Sequence, residues 1–160
     1  MRKFGISIFI FVLSGCVSFQ PSIPIDYVGK RATLSDSYSN HEGSTAHFYV
    51  LTKIDGRSIE DSGYRTRVNN HGRGFNMTPY MVSRHTTIEE HVFTVAGFVQ
   101  FATDAQGMFG DSMLIEKEVI LKPEANQVYV VKGELSKNGS NVWIEDKYGI
   151  MIRGKQVSKN

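Results

Sequence analysis

The 160-residue sequence predicts an all-β fold, an antiparallel β-sandwich of about 7–8 strands that follows a cleaved signal peptide and a short tether. Three observations carry that prediction. Short runs rich in β-branched and aromatic residues recur between Gly, Asn and Pro turn residues, as the strands of a sandwich do. The runs 127–135 and 141–148 alternate apolar with charged positions, which is the pattern of an antiparallel pair with one buried face. Beyond residue 16, helical spacing of apolar residues is not sustained over about twelve positions, so no long amphipathic helix is expected. A small closed barrel is the alternative architecture.

The chain opens on Arg2 and Lys3, runs through the apolar stretch Phe4 to Leu13, broken only by Gly5 and Ser7, and reaches Ser14 and Gly15 before Cys16. That is the layout of a secretory signal. The apolar stretch is about half of the roughly 20 residues a helix needs to span a bilayer, so removal rather than retention is expected. Leu13-Ser14-Gly15-Cys16 resembles the lipobox of bacterial lipoproteins. The resemblance implies that the Cys16 thiol receives a diacylglyceryl group, that cleavage makes Cys16 the first mature residue, and that its amino group is acylated as well. Val17 stands where lipoproteins kept at the inner membrane carry aspartate, and so implies passage to the outer membrane with the domain facing the periplasm. The expected organisation is 1–15 signal peptide, 16–30 lipidated N-terminus and flexible tether with Pro21 and Pro24, and 31–160 sandwich domain. Cys16 is the only cysteine, so no internal disulfide is expected.

Within the domain, residues 31–43 read as loop with at most a short strand, and 45–54 is the first convincing strand, closed by an Asp55-Gly56 turn. Residues 75–84 read as a strand that Pro79 confines to an edge. Strands over 91–103 and 113–121 follow, separated by a loop through Gly107 and Gly110, and Pro123-Glu124 turns the chain again. Asn138-Gly139 is the preferred two-residue hairpin turn, because both residues accept positive φ. That turn sets Leu135 opposite Val142, Gly133 opposite Ile144 and Val131 opposite Asp146, an apolar face spoiled only by Asp146. Trp143 falls on the other, charged face; we assign it to the core beneath a second sheet, an exposed contact surface being the alternative. The motifs Gly72-Arg73-Gly74-Phe75, Tyr129 to Leu135 and Val142 to Asp146 are similar to those of envelope lipoproteins with a β-sandwich and no established activity. The similarity implies the fold and leaves the function open.

The net charge of +2 belongs to the signal, because without Arg2 and Lys3 the 18 basic residues become 16, against 16 acidic ones. A neutral mature chain gives no argument for nucleic acid. Charge is nonetheless uneven. Residues 62–88 hold Arg65, Arg67, Arg73 and Arg84 with His71 and His85, and not one acid. Arginine offers forked donors suited to carboxylate and phosphate, so these four are the candidate anion-binding residues, for a lipid phosphate, a peptidoglycan carboxylate or an acidic partner. The plainer alternative is that they pair with Glu60, Asp61, Glu89, Glu90 or the acids of 104–124 and solvate the surface.

Neither His41, Glu42 and His47 nor His85, Glu89, Glu90 and His91 has the spacing of a helical zinc motif, and no metal or cofactor is expected. Gly-x-Ser-x-Gly and phosphate-cradling Gly-rich motifs are missing from the sequence, although a triad assembled from distant residues is defined only by geometry. The expected function is therefore a non-catalytic binding or assembly role at the membrane that Cys16 anchors, with an envelope protein or an anionic glycan or lipid as partner. A periplasmic small-anion or glycan-binding module is the alternative, and an enzyme a more distant one.

Overall fold

The computed structural model describes residues 18–153 and the backbone of a last strand at 155–156, so the expected signal peptide and the expected lipidation site Cys16 lie outside the described residues. Two sheets form the sandwich that the sequence predicts. The first has the order β5-β1-β8-β9, built from Ser83–Thr87, Arg31–Ser35, Val128–Glu134 and Asn141–Asp146. The second has the order β10-β7-β6-β3-β2, from Lys155–Gln156, Leu114–Leu121, His91–Phe101, Thr45–Ile54 and Ser37–Ser39, with β4 (Arg57–Ser58) beside β3. Pairing is antiparallel except where β1 runs parallel to β8. The seven strands of five residues or more meet the expected number, and β2, β4 and β10 add only two or three residues each.

Leu34, Leu51, Phe93, Val95, Val131, Val142 and Ile144, all inaccessible to solvent, fill the space between the sheets. Each such side chain contributes about 1.5–3 kcal/mol by leaving water. The central strands β3 and β6 are buried on their other face as well, where Ala46, Phe48, Val50 and Ala96 form a second cluster with Met77. Burial on both faces is why these two strands read as nearly continuous apolar runs rather than alternating ones.

Helix α1 (Ser62–Asn70) and the connection 71–82 belong to that second face, and both depart from the sequence reading. The residues α1 buries are Ser62, Gly63, Thr66 and Asn70, so its inward stripe has the helical spacing i, i+4, i+8 in polar residues. Those side chains take up the backbone of the expected edge strand. The N–H groups of Thr78, Tyr80 and Val82 donate to Asn70 Oδ1, Thr66 Oγ1 and Ser62 Oγ at 2.8, 2.9 and 2.7 Å. Four helical residues rise about 6.0 Å and two extended residues about 6.6 Å, so the two repeats run nearly in step. Pro79 falls between bonded positions, and the sheet ladder starts only at Ser83.

The turns divide. Asp55-Gly56 is a two-residue turn between Ile54 and Arg57 with φ of 51° and 76°, the mirror-image type that hairpins favour. Asn138-Gly139 is not. Gly133 pairs with Val142 and Val131 with Ile144, two residues from the expected register, and a longer loop closes on the Ser136 hydroxyl donating to Gly139 O at 2.7 Å. A shift of two leaves every side chain on its expected face. Asp146 then lies opposite Tyr129 at the strand end, where it caps the next turn by accepting the N–H groups of Tyr148 and Ile150, both at 2.9 Å. Residues 31–43, read as mostly loop, supply β1 and β2.

Candidate functional site

The acid-free segment is organised by an acid from elsewhere in the chain. Asp36, in the bend between β1 and β2, is 4% exposed and accepts from Leu51 N, Ser62 N and Ser62 Oγ at 3.0, 2.9 and 2.7 Å. Arg84 completes the set with two parallel bonds of 2.8 Å to the two carboxylate oxygens, and donates to Glu60 O at 3.1 Å. Arg84 therefore leaves the group of candidate anion-binding residues: its guanidinium is spent inside the fold, joining β5, β1, β3 and the start of α1. Asp61 caps that helix by accepting Tyr64 N at 3.0 Å. Burial lifts the Asp61 carboxyl above its ordinary value, helped by the Asp36 charge, and the N–H groups of Tyr64 and Gly63 and the Arg84 charge only partly offset this.

The remaining arginines stay at the surface. Arg65 pairs with Glu60, while Arg67 and Arg73 meet no carboxylate within 4 Å among the described residues. Arg73 sits between Gly72 and Gly74, whose φ values of 80° and 67° are left-handed positions that a side chain resists. Arg67 edges a cleft of about 560 Å³ between α1, the 71–77 loop and the end of β6. A second hollow of about 310 Å³ continues from it past helix α2 (Asp104–Phe109), sharing Arg67, Gln100, Phe101, Thr103 and Asp104.

Gln100 is the chemically unusual residue here. It is 6% exposed, it lines both hollows, and among the described residues its carboxamide makes no hydrogen bond, the oxygen being fully covered. An unmet buried acceptor costs about 1–3 kcal/mol, and the Gln100 oxygen carries that cost packed against Gly63 of α1, as the Thr86 hydroxyl does elsewhere in the fold. Polar groups converging on a cleft of this size are the makings of a small-molecule site. Comparison with protein-family models, curated proteins and solved structures found no match. The cleft must be read on its own chemistry. Arg67 offers a fork to a carboxylate or phosphate, Gln100 an amide for a peptide or acetamido group, and Asp104 an acceptor at the rim.

Sequence reasoning found Arg67, counted Asp104 only among the acids of 104–124 that would neutralise the arginines, and passed over Gln100 and Thr103. A glutamine inside the apolar run Val95 to Phe101 was the available signal, as was Thr103 three residues before Gln106, a helix-capping pair present as α2's N-terminal box.

His71 lines the cleft, and the other four histidines go elsewhere. His91 bridges Asp55 and Thr87, Nδ1 to Asp55 Oδ2 and Nε2 to Thr87 Oγ1, each 2.7 Å. The chain acid–imidazole–hydroxyl matches a hydrolytic triad in distance, but it faces the wrong way: Thr87 is 6% exposed and the carboxylate is the open end. The group instead ties the β3–β4 turn to the β5–β6 turn. Burial works against the Asp55 charge, yet the Val92 N–H, the His91 ring and Arg57 outweigh it and hold the carboxyl below its ordinary value. His41 bonds Met77 O, His47 bonds Asn40, and His85 bonds Thr33. No cluster of three metal-ligating side chains occurs among the described residues. Trp143 is half-buried rather than core, its N–H donating to Glu145 Oε1 at 2.7 Å beside Lys117 and Arg153.

Proposed function

We propose that this chain is a lipid-anchored envelope lipoprotein whose sandwich domain is a non-catalytic binding module, with the cleft between α1 and β6 as its ligand site. The observation that carries the reading is a cleft edged by Arg67, a guanidinium with no carboxylate within 4 Å among the described residues, and walled by Gln100. The resemblance of Leu13 to Cys16 to a lipobox supplies the location, and a permanent anchor suits a binder that works at high effective concentration beside a fixed surface. The ligand class is an anionic, amide-bearing glycan or peptide, its acid on Arg67 and its amide on Gln100.

Calorimetric titration of the full-length protein in detergent with carboxylated peptidoglycan fragments tests this. Saturable binding is expected, lost in Arg67→Gln and in Gln100→Leu. The second variant is diagnostic, because removing a polar group that has no protein partner should leave thermal stability unchanged or higher. Equal binding by wild type and both variants would remove the cleft from consideration.

A further inference from the structure

Helix α1 buries its polar side, and what it turns outward is apolar and basic. Tyr64 and Val68, one helical turn apart and opposite the buried stripe, are 42% and 54% exposed, and Phe75 in the loop that follows is 68% exposed. Arg65 and Arg67 flank the two helical residues, and Arg73 stands two residues before Phe75. Exposed aromatic and aliphatic residues between arginines are the composition of a surface that rests in a lipid headgroup layer. The Arg65–Glu60 pair is open to solvent and leaves that cation available to an anionic surface.

The course of the chain says what covers this face. Phe19 packs on Tyr64 with ring centroids 4.7 Å apart, and Gln20 N donates to Ser58 O of β4 at 2.8 Å, so residue 19 lies against the first turn of α1 and residue 20 against β4 rather than standing off from the domain. Cys16 is three residues earlier, at most about 11 Å of extended chain. The headgroup layer is itself roughly 5–8 Å deep, so acyl chains on Cys16 bring Tyr64 within reach of it.

We propose that the outward face of α1, with Tyr64, Val68 and Phe75 as apolar contacts and Arg65 and Arg73 as the charged ones, lies on an anionic phospholipid leaflet and fixes how the domain sits on its membrane. The proposal rests on the lipid-anchored reading of Cys16. The anchor and this face form one continuous attachment surface, and the segment 16–30 acts as a short strap instead of a long tether.

The experiment uses the full chain in vesicles of phosphatidylcholine alone or mixed with phosphatidylglycerol, each with brominated acyl chains. Trp143 is the one tryptophan, so Val68→Trp and Phe75→Trp are made with Trp143→Phe, and Tyr148→Trp in the same background reports the turn after β9. Bromine quenching is expected at 68 and 75 in the anionic vesicles only, with no quenching at 148. Arg65→Gln and Arg73→Gln should each lower the ratio of inserted to free face roughly fivefold. On the unsubstituted protein, trypsin cleavage after Arg73 should slow in anionic vesicles while cleavage after Lys147 does not. Unquenched tryptophan at 68 and 75, quenching that ignores lipid charge, or unchanged cleavage after Arg73 would each overturn the proposal. The mass of the residue-16 peptide reads acylation separately. If it carries no lipid, the lipoprotein reading fails by itself, and the same quenching outcomes decide the face once the Cys16 thiol is coupled to a maleimide lipid.

Discussion

Arg84 and Arg67 come from one basic segment and have opposite duties. Arg84 neutralises a buried carboxylate, and Arg84→Gln would strand the Asp36 charge with only Leu51 N and Ser62 beside it, at a cost of about 3–5 kcal/mol. Arg67→Gln touches no such partner and should change stability by less than about 0.5 kcal/mol while removing ligand binding. Urea denaturation separates the two, and a mild effect of Arg84→Gln would contradict the assignment of Asp36 as a hub. Asp61 makes a second prediction, on pH. Its carboxyl is raised in the folded state, so the folded chain keeps that proton to higher pH than the unfolded one, and stability falls as pH rises through the window just above the ordinary carboxylate value. Asp61→Asn keeps the helix cap, and should match or exceed wild-type stability at neutral pH with the advantage shrinking on acidification; Asp61→Ala should lose about 1 kcal/mol instead. At this scale the residue types were legible and their burial was not. Asp36 stands in Ser35-Asp36-Ser37-Tyr38-Ser39, a stretch that reads as solvated loop until Arg84 is brought to it on the neighbouring strand β5.

The ladder between α1 and residues 78–82 replaces a strand pairing with side-chain oxygens, and its strength is testable position by position. Thr66→Val removes the acceptor for Tyr80 N, keeps the volume, and should cost about 1–3 kcal/mol. Amide hydrogen exchange provides the sharper reading: Tyr80 should exchange faster in the variant, with Thr78 and Val82 still protected by Asn70 and Ser62. Collective release of all three would mean the segment opens as a unit. The same ladder explains why the helix could not be seen by apolar periodicity, since its inward stripe is Ser62, Thr66 and Asn70, and the segment it holds carries strand-like residues without a strand partner. The Asp-Gly and Asn-Gly turns make a matched contrast. Asp55-Gly56 closes a hairpin because Ile54 and Arg57 can pair at once, whereas Leu135 is drawn into the core, 6% exposed, and the second loop widens around it. Strand positions in β3, β6, β7, β8 and β9 were legible because β-branched and aromatic runs have no other use in a chain of this kind.

Across the whole molecule, β3 and β6 stand between two apolar clusters with different consequences. The cluster between the sheets holds the sandwich together, while the one on the far side carries Met77 of the cleft wall, with Phe48 stacked on Phe98 at 5.9 Å. Ile144→Ala and Phe48→Ala should therefore cost similar stability, about 2–5 and 3–5 kcal/mol, through cavities in well-filled space. Their effects on ligand should differ. Phe48→Ala removes support from Met77 and from the strand that carries Gln100, so affinity measured well below either melting temperature should fall, whereas Ile144→Ala should bind as wild type does. Equal loss in both would mean that the cleft senses overall stability alone. Loss confined to Phe48→Ala would place the site on the second cluster, and would explain why a sandwich that one core could hold keeps a helix and a long loop sealed over its outer face.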